Sequence, residues 1–260
     1  MCNLVSSLNR FGAAPREYHL DLAVRSFSYV KRTKQKDIAI DSSPLEYHRD
    51  YPEYEFLAPD FLLDYPDAKE ETADHFPQAF GPVLETTIFV DSDHAHDKKT
   101  RRSLTGLLAY VGSTPVLWMS KRQGAIASST YAAEFSALRT ATEEAISLRY
   151  MLRCLGCNLP ADGNNPTRVF GDNLSVIQNA ANPQADLSKK HVAISFHTVR
   201  EAIAARIIEA YWLKGKYNLS DIMTKQIPKT EFTTHCDFIF WRPNFHIRDN
   251  NRLDGSLNED

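Results

Sequence analysis

The chain has 260 residues, 43% of them hydrophobic, which is enough for a core of ordinary domain size, and a formal net charge of -3. It contains no apolar run of ~18 residues and no charged-then-apolar start, so neither a membrane partner nor secretion is expected. The four cysteines, Cys2, Cys154, Cys157 and Cys236, make one C-x-x-C with no second pair or histidine cluster. That argues against both a disulfide framework and a zinc site.

In chain order, residues 15–36 predict a helix. Pro15 suits its start, Leu20, Val24, Phe27 and Val30 give a helical stripe, and basic residues gather at its end. "KDIAID" then reads as a short strand. Residues 42–85 hold Pro44, Pro52, Pro59, Pro66, Pro77 and Pro82 among many acids and aromatics, an irregular connector where the domain boundary is placed.

From Thr86 the pattern becomes regular. "TTIFVD", "TGLLAYVG" and "PVLWMS" predict three strands, with Gly112-Ser113 as a hairpin turn between the last two. "SSTYAAEFSALRTATEEAISLRYMLRCLG" predicts a long helix capped by Ser129 or Thr130 and closed by Gly156. "TRVFGD" is a fourth strand, "NLSVIQNAA" a short helix and "KKHVAISFHTVREAIAA" another. "RIIEAYWLK" is a fifth strand and "LSDIMTKQ" a last helical turn or two. The order indicates an α/β domain, a five-stranded mixed sheet flanked by helices, preceded by a helical and irregular N-terminal segment.

Charge is segregated along this order. Residues 1–40 carry seven Lys/Arg against three acids (+4), residues 41–97 two against fifteen (-13), and residues 98–260 twenty-one against fifteen (+6). The last section suits a polyanion, which would repel the acidic one. Either the acidic connector packs back on the basic residues 1–40, or it is a solvated tether.

Four carboxylates stand out. Asp91 and Asp172 each end an apolar strand, where reactive groups of α/β sheets gather. Asp93 lies two residues beyond Asp91, in the turn. Glu134 lies on the line Leu138, Ala141, Ala145, Leu148 and Leu152 of the long helix, the face that should be buried, where an ionised acid needs a cation or donors. Asp221 opens a late helix, which the helix dipole alone would favour. An all-oxygen set of this kind selects hard cations such as Mg²⁺ or Mn²⁺, and two such ions can serve phosphodiester hydrolysis.

Five blocks, "FVDSDHAHDKKTRRSLTGLLAYV", "VLWMSKRQGAIASSTYAAEFSALRTATEEAISLRYML", "VFGDNLSVIQNA", "LSKKHVAISFHTVREAIA" and "NLSDIMTK", resemble in order the RNase H domain of Ty1/copia-type retrotransposon polyproteins. "AAPREYHLDLAVRSFSYVKRTKQKDIAIDSS" and "DYPDAKE" are similar to the end of the reverse transcriptase and its link to that domain. The resemblance implies residues 1–41 as a reverse transcriptase C-terminal (thumb-like) remnant and residues 42–85 as an acidic, proline-rich connector. It places an RNase H-like domain at 86–228 and a tail at 229–260. No Y-x-D-D type turn precedes the connector, so polymerase activity is not expected.

By resemblance the metal set is Asp91, Glu134, Asp172 and Asp221, holding two Mg²⁺ ions, with Mn²⁺ as a substitute. Asp91 would bridge both ions. Asp221 would help hold the ion that activates water, and Glu134 and Asp172 the ion on the leaving 3′-oxygen. The implied reaction is hydrolysis of the RNA strand of an RNA–DNA hybrid, leaving 5′-phosphate and 3′-hydroxyl ends. Lys98, Lys99, Arg101, Arg102, Lys121, Arg122, Asn173, Lys189 and Lys190 are the candidate substrate contacts, phosphate-directed and salt-dependent where basic. His191 and His197 read as packing or substrate-side groups; Tyr110, Trp118 and Phe196 read as core.

A reverse transcriptase polymerase subunit is a second implied partner, and a cytoplasmic retroelement particle or the nucleus the implied location. Two other readings compete. One is a non-catalytic nucleic-acid-binding or assembly remnant of a decayed element. The other is an integrase-like strand transferase, which the position of Glu134 as second acid disfavours.

Overall fold

The apolar run from Thr86 forms β1 (Thr86–Asp93), buried from Thr86 through Ser92. Only a central strand covered on both faces is buried so continuously. The computed structural model describes residues 2–33, 36–46, 64–182 and 193–240. Lys189, Lys190, His191, the middle of the connector and the tail beyond Phe240 lie outside the described residues.

β1 runs antiparallel to β2 (Leu104–Val111), which turns into β3 (Thr114–Arg122). Gly112 makes that turn with φ +54, a conformation that costs glycine little. On its other side β1 runs parallel to β4 (Thr167–Gly171), which pairs in parallel with β5 (Ile208–Trp212), giving the order β3-β2-β1-β4-β5. The five-stranded mixed sheet with flanking helices is the RNase H-like arrangement that the motifs imply.

Alternation along the strands divides the core into two layers. Ile88, Val90, Leu107, Ala109 and Val169 face α3 (Thr130–Cys154), α4 (Leu174–Ala181) and α5 (Ala193–Ala204). Phe89, Leu108, Tyr110 and Phe170 face the other way, onto Met223 of α6 (Asp221–Thr224) and Ile239 of α7 (Lys229–Ile239). Two N-terminal helices, α1 (Cys2–Asn9) and α2 (Glu17–Thr33), precede this domain, and α1 packs on β3 and α6.

Several expectations need correction. The stripe Leu20, Val24, Phe27 and Val30 of α2 is exposed, between 51% and 75%. The helix turns Leu22, Ser26, Tyr29 and Thr33 inward instead, because Tyr29 meets Phe232 of α7 edge-on. "KDIAID" is not a strand; its last residue ties to the β2–β3 turn through Asp41 N to Thr114 Oγ1 (2.7 Å) and Ser113 N to Asp41 O (3.0 Å). Trp118 is half exposed on the edge strand, while Tyr110 and Phe196 are buried. Residues 229–239 of the expected tail form α7, whose Cys236 and Ile239 are buried.

The described part of the connector is not a free tether. Glu70 accepts four hydrogen bonds of 2.6–2.8 Å from Arg149 and Arg153 of α3. Phe76 packs edge-on against Tyr150, and Tyr65 bonds His197 at 2.7 Å, giving His197 its packing role. Residues 64–85 thus form a strap on the domain.

Candidate active site

The parallel ladder between β1 and β4 ends at the pair Phe89↔Phe170. Asp91 and Asp172 each lie two residues beyond it, so strand periodicity turns both carboxylates to the same face, on neighbours ~4.8 Å apart. Asp91 is fully buried. Thr224 of α6 donates its hydroxyl to Asp91 Oδ2. Asp91 Oδ1 is buried with no hydrogen-bond partner among the described residues. Asp172 is less enclosed, and Trp212 Nε1 holds its carbonyl at 2.9 Å.

Glu134 arrives from α3, whose start is set by Ser129: its side chain accepts from Ala132 N. Gln123, after β3, donates to Ala133 O (2.9 Å) and Thr105 (3.0 Å), pinning the first turn of α3 to the sheet. One oxygen each of Asp91, Glu134 and Asp172 lies within 4.8 Å of the others. Burial, then the charges of Asp91 and Asp172, push Glu134 up to about 9. Asp172 is raised by burial and then by the Asp91 charge.

Asp221 is brought in by α6, and Gly106 explains how. Gly106 is paired with Asp91 in the antiparallel register. A Cβ there would lie 2.6 Å from Thr224 Cγ2, 2.8 Å from Met223 Cβ and 3.0 Å from Ser220 O. Only glycine lets α6 rest on the sheet at this point. Asn218 completes the anchor, donating to Val90 O at 2.9 Å while its Oδ1 accepts from Ser220.

Lys225, the residue after α6, joins the fourth acid to the others. Its Nζ lies 3.2 Å from Asp91 Oδ1, 3.2 Å from Asp221 Oδ1 and 4.0 Å from Asp172 Oδ2. Asp91 Oδ1 and Asp221 Oδ1 are therefore no more than 6.4 Å apart, twice the 3.2 Å contact. Burial, then the Asp91 charge, push Asp221 up to about 7. Burial lowers the Lys225 ammonium, but Asp91 and Asp221 more than offset it and the net shift is upward. For Glu134, Asp172 and Asp221 burial is the first cause of the upward shift, and the charge of the neighbouring Asp91 adds to it.

The predicted substrate contacts divide by position. Lys98, Lys99 and Arg101 are exposed in the β1–β2 loop, Arg102 is half-buried there, and Lys121 is exposed near the end of β3. Strand register puts all of them at the Asp91 end of the sheet. Arg122 is engaged: it bonds Asp97 at 2.9 Å, and Asp97 Oδ1 accepts from Lys99 N and Thr100 N, shaping the basic loop. Asn173 caps α4 through its Oδ1. Asp93 is the last residue of β1, not part of a turn, and its carboxylate bonds His96 at 2.6 Å.

Three residues with a part in the site have no signal in the metal set itself: Gly106, Thr224 and Lys225. Lys225 could have been suspected from its place four residues after Asp221, on one helical face. The donors fit a hard divalent cation. They are all carboxylate oxygens, they come from separate elements, and the buried Asp91 Oδ1 has the Lys225 ammonium 3.2 Å away in the place a metal ion would take.

The resemblance read from the motifs is borne out. The retrovirus-related Pol polyprotein from transposon RE1 of Arabidopsis thaliana is 28% identical over 152 residues, covering 58% of this chain and 10% of that protein. The corresponding polyprotein from transposon TNT 1-94 of Nicotiana tabacum is 28% identical over 151 residues, 58% of this chain and 11% of that protein. The chain thus spans about a tenth of the length of these curated relatives. No family model matches it. Among solved structures, the N-terminal RNase H domain of a Mycobacterium tuberculosis protein is similar with TM-score 0.39 and 14% identity, covering 52% of this chain and 92% of that one. A foamy viral protease-reverse transcriptase in complex with an RNA/DNA hybrid is similar with TM-score 0.36 and 14% identity, covering 61% of this chain and 22% of that one.

Proposed function

We propose that this chain is a metal-dependent ribonuclease H that hydrolyses the RNA strand of RNA–DNA hybrids, with Asp91, Glu134, Asp172 and Asp221 holding two Mg²⁺ or Mn²⁺ ions. The observation that carries the reading is the meeting of Asp91, Glu134 and Asp172 within 4.8 Å from β1, α3 and the end of β4. Buried like charges destabilise a fold unless a cation joins them. A structural purpose would be served better by apolar side chains.

Bound there, the ions would supply activation of the attacking water and neutralisation of charge on the leaving oxygen. The protein's own part is placement. Thr224 occupies Asp91 Oδ2, so Oδ1, now facing the Lys225 ammonium, is the oxygen a metal ion would take. Gly106 and Asn218 hold α6, with Asp221, against the strand ends. The lysines and arginines at this end of the sheet would bind phosphates without reading sequence, and the RNA 2′-hydroxyl and hybrid shape would select the strand. The proposal extends to residues 1–41 as the end of a reverse transcriptase, a polymerase subunit as partner, and the element's particle or the nucleus as location.

The test is cleavage of a hybrid with labelled RNA in Mg²⁺, Mn²⁺ or EDTA, beside single-stranded RNA, duplex RNA and duplex DNA. Metal-dependent cleavage of the hybrid alone, lost in Asp91→Asn, is expected. Hybrid binding without cleavage under any metal would replace this reading with a non-catalytic nucleic-acid-binding role. Joining of strands would indicate a transferase.

A further inference from the structure

Lys225 stands where a cation is needed. Its ammonium touches Asp91 Oδ1 and Asp221 Oδ1 at 3.2 Å each and reaches Asp172 Oδ2 at 4.0 Å. Asp91 Oδ1 is also the oxygen that Thr224 leaves unbonded. We propose that Lys225 is a built-in counter-ion that holds the carboxylates together before a divalent cation arrives and is expelled from the cluster when one binds. The proposal rests on the reading of these four acids as a divalent-cation site.

Three physical points carry it. An ammonium and a divalent cation that compete for the same carboxylate oxygen repel each other, and the divalent ion is held more strongly because it carries the greater charge. Lys225 is the one that yields. It is able to do so: its side chain is 38% exposed, and it sits at the end of α6 with extended backbone, φ -122 and ψ 161. A lysine on a flexible four-carbon stem is also a compact point charge that fits a cluster of oxygens without the planar geometry an arginine demands. While it remains, it offsets part of the repulsion among Asp91, Asp172 and Asp221, and the acids keep their positions for the incoming ion. Metal affinity is then the balance of an exchange, one cation for another.

The test uses the full chain and reads metal binding without turnover. Mn²⁺ affinity is measured by calorimetry for the wild type and for Lys225→Met, with thermal unfolding of both in EDTA. Removing the competitor should raise Mn²⁺ affinity about tenfold, while the EDTA melting temperature falls because the acids have lost their counter-ion. Unchanged or weaker Mn²⁺ binding in Lys225→Met overturns the proposal. A wild type that binds no Mn²⁺ overturns instead the metal-site reading beneath it. Should Lys225→Met not fold, the wild type still decides. Acetylation of the Lys225 amine, followed by mass spectrometry, should be several-fold faster in Mg²⁺ than in EDTA. Equal rates mean the ammonium does not leave.

Discussion

Glu70→Gln isolates the strap on α3. Glu70 is 8% exposed and faces Arg149 and Arg153, themselves 1% and 8% exposed, so solvent screens this triad little. The substitution keeps the shape and removes the charge, leaving two buried guanidiniums with only carbonyl acceptors: Asn165 O and Pro160 O for Arg149, Leu159 O and Pro160 O for Arg153. Breaking one side of a buried ion pair costs about 3–5 kcal/mol. The retained carbonyl bonds place this case near the lower end, about 3 kcal/mol, out of the ~5–15 kcal/mol typical of a folded domain. For a domain of this size that is roughly 6–12 °C in Tm.

Urea unfolding at pH 7 measures the loss, and it should shrink in acid. Burial raises the Glu70 carboxyl, but its bonds to Arg149 and Arg153 lower it further, so the net shift is below the ordinary value of 4.5. A group depressed in the folded state contributes stability that is present above 4.5 and is lost as pH falls through its folded value. Wild type and Glu70→Gln should therefore converge below that range. A difference under about 0.5 kcal/mol at pH 7, the spread of ordinary surface substitutions, would mean the strap is not held by this triad.

Asp91→Asn should abolish hybrid cleavage with the fold intact by circular dichroism, whereas Asp93→Asn, whose carboxylate faces His96, should keep most of the activity; the reverse result would mean that β1 has been read in the wrong register. Gly106→Ala should displace α6, costing about 1–3 kcal/mol in a urea titration and weakening Mn²⁺ binding; a variant with wild-type Mn²⁺ affinity would refute the placement of α6 on this strand. Lys98→Ala and Lys99→Ala together should weaken hybrid binding for every sequence, and the slope of log affinity against log salt should flatten by about 1 for each phosphate no longer neutralised. An unchanged slope would remove this loop from the substrate path.

Local pattern made the sheet and the long helix legible. The run of β1, the alternation of Leu107 and Ala109 against Leu108 and Tyr110, Ser129 as cap and Gly156 past the helix end all act within a few residues. Glu134 could be singled out because an acid stood on an apolar line, a conflict that a functional site explains. What stayed hidden depends on distant partners. Glu70 meets its arginines 79 and 83 positions away. Gly106 matters only because α6, more than a hundred residues later, lands on it. The inward face of α2 could not be chosen correctly from its own periodicity, since Leu22, Ser26, Tyr29 and Thr33 form a stripe as regular as Leu20, Val24, Phe27 and Val30 but less apolar. Packing of Tyr29 against α7 decided between them.

The segregation of charge also acquires a different meaning once the partners are known. Acids of the -13 section, residues 41–97, are matched to arginines of other elements: Glu70 to Arg149 and Arg153, Glu85 to Arg168, Asp64 to Arg200, Asp97 to Arg122 and Arg10. Arginine suits this task because its fork can bond two carboxylate oxygens at once, while lysine is a hydrated point charge. The exposed lysines Lys98, Lys99 and Lys121 carry positive charge at the Asp91 end of the sheet. With these arginines paired inside the domain, the exposed lysines of the β1–β2 loop and of β3 are basic charges left unpaired at the Asp91 end, among the described residues. A polyanion of the kind proposed above would meet them there.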